Sequence, residues 1–209
     1  MWLAAFRVPQ PLINSKPFTM PQKLYCYVDE TGLDIQAQWF IVATVVIEDD
    51  PAPALTLCET IERDTGKNRV KWIRTDYPRR LVYIERLIRE VAFKGRLYVA
   101  AFRKPVDYNA QTLEAIAWTM KAHTTAPYRV TILIDGLPRQ QEQAIGRDLV
   151  RLWVAKRKVR GIRYEEYDAL SRLADAVCGW TRAALEGQPG MIKLYDQAKA
   201  TGWLTERQP

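Results

Sequence analysis

Cysteine and histidine are scarce in this chain of 209 residues, which has three cysteines (Cys26, Cys58, Cys178) and one histidine, His123. The cysteines are odd in number, widely spaced and without a CxxC pair, which excludes a disulfide framework and a zinc knuckle. Each is expected as a small buried residue. His123 falls at the end of a predicted helix and reads as a structural polar residue, so no histidine-centred site competes for the chemistry. The ten glycines are scattered and form no phosphate-cradling loop. Long apolar runs are missing too. The stretches 39–47 and 130–134 fall far short of the roughly 20 residues of a membrane span. The run 2–6 is shorter than the about 7–15 residues of a signal-peptide core. A soluble, cytoplasmic protein without a membrane partner is expected.

What is present fits a globular domain: 48% of residues are hydrophobic and 26% charged. The length suits one domain rather than two. Four of the twelve prolines lie in the first 22 residues, which show neither helical nor strand periodicity. Residues 1–22 therefore read as a proline-containing N-terminal extension and 23–209 as a single domain. Met20 offers an alternative start of translation to Met1.

From residue 23 the chain alternates between two periods. Residues 23–29 and 36–47 are aromatic and β-branched around a Thr31-Gly32 turn, which predicts an antiparallel N-terminal hairpin. Asp49, Asp50 and Pro51 open a helix to about residue 64, and Tyr77-Pro78 opens another that Gly95 stops. A strand over 96–103, a helix over 107–123 and an apolar strand over 129–135 follow, the last with the TILI core of a strand covered on both faces. A long helix over 138–158, a strand over 161–168 and a helix over 169–185 are then predicted, with Tyr195 and Trp203 packing a short C-terminal piece on the body. Trp39, Trp118, Trp153 and Trp180 are expected in the interior. The order implies a three-layer α/β fold with a mixed central sheet and flanking helices.

Carboxylates fall at the ends of these strands, where open sheets place their ligand sites. Asp29 ends the first strand, Asp135 the central one and Asp168 the last. Asp135 precedes Gly136 and also fits a turn, and Asp168 also fits a helix cap. Asp175 lies inside the final helix, opposite the stripe Leu170, Leu173, Val177 and Trp180 and alongside Ser171, Gly179 and Arg182. That placement suits a solvent-facing aspartate or a carboxylate on a small-residue face with room for an ion.

The segments YCYVDETG (25–32), TILIDG (131–136) and YDALSRLADAV (167–177), in this order and at these separations, resemble the domain-of-unknown-function 3800 family. The resemblance spans residues 23–185 and implies a ribonuclease H-like fold and a divalent-metal-dependent nuclease acting on DNA or RNA. Carried over by position, it implies Asp29, Asp135 and Asp175 as catalytic, metal-binding carboxylates, with Glu30 and Asp168 as accessory ligands and Mg²⁺ or Mn²⁺, as two ions, as the cofactor. Hard oxygen ligands suit that chemistry, because two ions about 3.5–4 Å apart activate a water and stabilise the leaving oxygen. The chain departs from the family pattern at Ala169, where members often carry serine, and at Arg172, where they often carry glutamine. A further acid from an early helix has three candidate donors, Glu59, Glu62 and Glu85. Glu30 neighbours Asp29 on a strand, so the two face opposite ways unless the strand bends.

Charge supplies a separate indication. The net charge is +7, and residues 139–163 hold eight basic residues against two acids, a surplus of six. Arg139, Arg147, Arg151 and Lys158 are candidate phosphate contacts on the predicted helix, beside the alternative of a solvated face. Lys71-Trp72 is a second candidate, since lysine holds phosphate and tryptophan stacks on bases. Two other readings stand beside the nuclease: a catalytically inactive nucleic-acid-binding or assembly module, and a hydrolase of a small phosphorylated compound, which predicts a narrow pocket and a basic helix turned away from the acids.

Overall fold

The aromatic and β-branched runs of the domain pair first with each other. In the computed structural model, which describes residues 20–33, 37–103, 107–163 and 167–207, β1 (Gln22–Thr31) and β2 (Trp39–Glu48) form an antiparallel hairpin with Asp29 opposite Ala43. β3 (Leu97–Arg103) runs antiparallel to β2, and β4 (Tyr128–Asp135) runs parallel to β1 on its other side. β5 (Lys156–Ile162) is parallel to β4, and β6 (Leu204–Glu206) is parallel to β3. The resulting mixed sheet of six strands has the order β5-β4-β1-β2-β3-β6.

Strand alternation divides the side chains between two cores. Tyr27, Ile41, Ala43, Val45 and Leu133 face α1 (Ala52–Asp64), α2 (Tyr77–Leu87), α5 (Ala169–Leu185) and α6 (Pro189–Ala200). Leu24, Cys26, Val28, Ile132 and Ile134 face α3 (Tyr108–His123) and α4 (Glu142–Arg151) on the other side. The expected three layers are therefore present. Aspartates start three of the helices by accepting a backbone N–H: Asp76 from Arg79, Asp107 from Ala110 and Asp168 from Ser171.

The C-terminal half departs from expectation. The helix predicted over 138–158 is only α4, and its second half is strand β5. Leu152 ends the helix and Trp153 turns the chain through a left-handed φ of 65°. Trp153 is 92% exposed, not interior. β5 is an edge strand whose only deeply buried apolar side chains are Val159 and Ile162, so its sequence KRKVRGI reads like a solvated helix face. The strand predicted over 161–168 ends at Ile162; residues 164–166 lie outside the described residues, and Asp168 caps α5. The C-terminal piece is larger than expected, with α6 buried through Met191, Leu194 and Tyr195 and β6 extending the sheet. Of the proposed extension, 1–19 lies outside the described residues and β1 already begins at Gln22.

The three cysteines are free and buried. His123 takes a structural position, with Nδ1 2.9 Å from the Tyr98 hydroxyl and Nε2 3.3 Å from Glu48. Among the described residues no helix is long and apolar enough to cross a membrane.

A buried ion cluster ties α1 to α5. Glu62 accepts from Arg172 through both oxygens, at 2.8 and 2.7 Å, and from Lys67 Nζ at 3.0 Å. Lys67 also donates to the Val70 carbonyl at 2.9 Å and Arg172 to the Tyr167 carbonyl at 2.9 Å. Every charge in the cluster is thus paired, and the segments carrying Val70 and Tyr167 are held against α5. Truncating one member leaves a buried carboxylate short of its partner, so Arg172→Ala is expected to cost about 3–5 kcal/mol. Urea denaturation with an unchanged m-value checks this, and a loss below about 1 kcal/mol, the range of an exposed pair, would contradict it.

Candidate functional site

Two aspartates reach the same face of the sheet through strand register. β1 and β4 are parallel with Val28 paired to Ile134, so Asp29 and Asp135 follow one step later on neighbouring strands roughly 4.8 Å apart. Asp29 shares its face with Tyr27, and Asp135 shares its face with Leu133, both of which point toward α5. Across from them α5 carries Asp175. The helix is buried on nearly all sides, so the face opposite its apolar stripe meets the chain between α1 and α2 rather than solvent. Asp175 Oδ2 accepts the backbone N–H of Trp72 at 2.8 Å. The Trp72 indole lies on Gly179, where a β-carbon would come within 2.1 Å of Cδ1. Asp175 and Gly179, one turn apart, therefore form a single seat for Trp72.

The carboxylates bear on one another. Burial pushes the Asp29 carboxyl well above the usual carboxylate range, and the negative charges of Asp175 and Asp135 push it further. The Glu30 N–H, donating to Asp29 Oδ1 at 2.8 Å, and the Lys71 ammonium act against the rise. Asp175 is raised by burial as well, while the Trp72 N–H, Lys67 and Lys71 hold it down. Lys71 Nζ lies 3.3 Å from Asp135 Oδ2 and 4.4 Å from the centre of the Tyr167 ring. The Tyr167 hydroxyl is buried without a hydrogen-bond partner among the described residues, and burial followed by Asp175, Asp29 and Asp135 drives its pKa upward.

The remaining candidates are dispersed. Glu30 faces the opposite layer, where the Thr112 hydroxyl donates to it at 2.5 Å and burial raises its pKa. Asp168 is occupied at the start of α5, accepting from the Ser171 N–H at 2.8 Å and hydroxyl at 3.0 Å. Glu62 belongs to the buried ion cluster, Glu59 lies 3.9 Å from Arg69, and Glu85 is exposed on α2. Arg139 is exposed in the turn after β4. Arg147 and Arg151 belong to α4, on the far side of the sheet from the acids, with Arg151 2.8 Å from Asp148. Lys158 is exposed on β5. The basic ridge expected from one helix is thus divided between two layers.

Arg80 and Arg182 line the open cleft of about 450 Å³ that contains Asp29 and Asp175; the sequence sets Arg182 on the Asp175 face but assigns neither residue a site role. Arg80 Nε donates to the Trp72 carbonyl at 3.1 Å, and its guanidinium stacks 5.0 Å from the Trp72 ring. Arg182 Nη1 lies 3.4 Å from Thr31 Oγ1. For Arg182 a signal existed, since it follows Asp175 by seven residues on α5, two helical turns along the same face. For Arg80 none did, because it sits in an ordinary basic helix start beside Arg79.

Among the described residues no three acids, histidines or cysteines are gathered closely enough to read as a preformed metal-binding group. The donor chemistry nevertheless fits a hard divalent cation. Asp29, Asp135 and Asp175 each have one oxygen engaged, by the Glu30 N–H, Lys71 and the Trp72 N–H respectively. The unpartnered Tyr167 hydroxyl adds a polar group whose surroundings are set by the same three charges.

No protein-family model and no curated protein sequence matches this chain. Among solved structures, ribonuclease H2 from Pyrococcus horikoshii OT3 is similar, with a TM-score of 0.52 and 13% identity over 85% of this chain and 76% of that one. RNase HII from Archaeoglobus fulgidus, solved in a complex with PCNA, aligns with a TM-score of 0.48 and 15% identity over 86% of this chain and 90% of that one. The first likeness shows the fold, which is ribonuclease H-like.

The folded state holds the Asp29 proton more tightly than the unfolded chain does, where a carboxyl titrates near pH 4 (about 3.9). Its contribution to stability is therefore present in acid and lost as pH rises through the folded value. Asp29→Asn keeps an oxygen for the Glu30 N–H and removes the charge. In EDTA at neutral pH the variant is expected to raise Tm, by on the order of 2–4 °C for each kcal/mol relieved. The gain should shrink toward pH 4. An unchanged or lower Tm at neutral pH would show that Asp29 is not held at a cost.

Proposed function

We propose that this chain is a divalent-metal-dependent nuclease of the domain-of-unknown-function 3800 kind, hydrolysing phosphodiester bonds of DNA or RNA. The observation that carries the reading is the convergence of Asp29, Asp135 and Asp175 on one face, two from adjacent parallel strands and one from the helix above them. They are partly buried, burial raises the pKa of Asp29 and of Asp175, and the neighbouring aspartate charges add to the rise at Asp29, an arrangement that structure alone does not require and that active sites use. The ribonuclease H-like fold supports the reading only as architecture, and the chemistry rests on the three aspartates.

Asp29, Asp135 and Asp175 would hold Mg²⁺ or Mn²⁺, which when bound supplies a more acidic water and neutralises charge on the leaving oxygen. The protein's own groups prepare for that load. Lys71 offsets the negative charge of Asp135 and Asp29, which a bound cation would otherwise neutralise. The Trp72 N–H keeps Asp175 aimed into the cleft, and Arg80 and Arg182 provide guanidinium groups for phosphate along the same wall. The three free, buried thiols support a reducing compartment and hence the cytoplasm.

One observation favours a second reading, an inactive nucleic-acid-binding module: Lys71 lies against Asp135 in place of a preformed ion site. Incubation with labelled single-stranded and double-stranded DNA and RNA in Mn²⁺ separates the two. Cleavage is expected with Mn²⁺ and Mg²⁺, abolished by EDTA and by Asp135→Asn or Asp175→Asn. Calorimetric titration should show the same variants losing Mn²⁺ affinity. Salt-sensitive binding of nucleic acid with no cleavage and no metal uptake would establish the inactive module instead.

A further inference from the structure

The described residues leave part of the sheet face that carries the acids uncovered. Beyond the N-terminus of α5 it continues as a groove of about 410 Å³ across β1, β4 and β5, bounded by Pro51 at the start of α1 and Ser171 at the start of α5. Its floor is built in register. Tyr25 pairs with Thr131 and Thr131 with Lys158; Tyr27 pairs with Leu133 and Leu133 with Arg160. One step further, Asp135 pairs with Ile162, so strand register carries the same face on to Asp135. From Lys158 to Ile162 the path is about 13 Å at strand rise.

The cationic side of this groove is made by a backbone irregularity. The register of β5 shifts between Val130 and Thr131, which pair with Lys156 and Lys158 and leave Arg157 extra. Strict alternation would send Arg157 and Lys158 to opposite faces. The bulge brings both to the groove, while Lys156 packs its stem on Gly146 of α4 on the other side. Guarding an edge strand against pairing needs charge along the edge but does not need two consecutive cations on one face. Asp168, the one acid among the described residues that line the groove, is turned onto the start of α5. Tyr25 stands part-exposed on the floor with the Lys23 ammonium 5.0 Å from its ring centre.

We propose that this groove binds a single-stranded stretch of nucleic acid flanking the bond at the acids, with phosphates on Arg157 and Lys158 and a base on the Tyr25 ring. The inference deepens the proposed function and rests on it for the reason the strand reaches Asp135. A half-exposed aromatic ring beside a line of cations on a sheet is the chemistry that recognises unstacked bases, and a paired duplex keeps its base faces hidden.

Binding is read by fluorescence anisotropy of a short fluorescein-labelled oligothymidylate in EDTA across a salt series. The wild-type chain is expected to bind with a steep salt dependence. Arg157→Ala with Lys158→Ala should flatten the slope of log K against log salt by about 1.4, the value for two lost single-strand phosphate contacts. Tyr25→Leu should weaken binding about tenfold with little change in slope. Arg147→Ala with Arg151→Ala, on the far layer, should bind as wild type. The groove assignment is overturned if the wild type shows no salt-dependent binding, if the Arg157–Lys158 variant keeps the wild-type slope, or if the α4 variant loses as much. Tighter binding of the annealed duplex overturns the single-strand assignment. Groove-dependent binding without Mn²⁺-dependent cleavage leaves the groove standing and removes the nuclease reading; cleavage with an unaffected groove variant removes the groove alone.

Discussion

The seating of Trp72 on α5 is the contact on which the candidate site depends. Gly179 leaves the space that the indole occupies, and Asp175, four residues earlier, receives the Trp72 N–H. The two contacts use one face of one helix and fix each other: a larger residue at 179 would lift the indole and take the N–H with it. Arg80 closes the arrangement by stacking on the ring and bonding to the Trp72 carbonyl. Because Lys71 precedes Trp72, the same seat sets where its ammonium can reach, and the reach found is Asp135. A glycine in the middle of a helix costs stability relative to alanine, and here the cost is met by a contact that positions a carboxylate.

Behind that seat lies the paired ion cluster of Glu62, Lys67 and Arg172, which anchors the approach to Trp72 from α1 and the approach to α5 from Tyr167. In front of it lies strand register. Parallel pairing of β1 with β4 is what brings Asp29 and Asp135 side by side, and a slip of one residue would send either carboxylate to the α3 and α4 layer. Glu30 shows the alternative outcome. It is next to Asp29 in sequence, points to the other face and is taken up by Thr112.

Much of this was legible from residues alone where the pattern was local. The hairpin, the TILI strand and the helix over 169–185 follow from periodicity and caps, and the strand-end aspartates follow from those elements. Asp175 could not be decided from its own helix, because a helical wheel shows which face is polar but not whether another segment covers it. The chain between α1 and α2 covers it, and no periodic signal announces that contact. β5 was misread because a half-exposed edge strand with two buried apolar residues carries too little alternation to compete with a run of basic residues. A single helix over 138–158 would join Arg147 and Lys158, whereas the chain turns at Trp153 and puts their side chains on opposite sides of the sheet.

The same chain treats its buried carboxylates in two different ways. Glu62 is buried and receives two cations with full hydrogen bonding, which is how a protein makes a buried charge tolerable. Asp29 and Asp175 are placed near each other and near Asp135, with backbone N–H groups and a half-exposed lysine as their relief. Were these acids only structural, apolar residues or amides on the same face would pack the gap between β1 and α5 without like-charge repulsion. Local conflict of this kind persists where a ligand resolves it. On the proposed reading, a cation bound by the three aspartates would resolve it. On that reading net charge would contribute only the direction of attraction, and the three carboxylates on one face would decide where it acts.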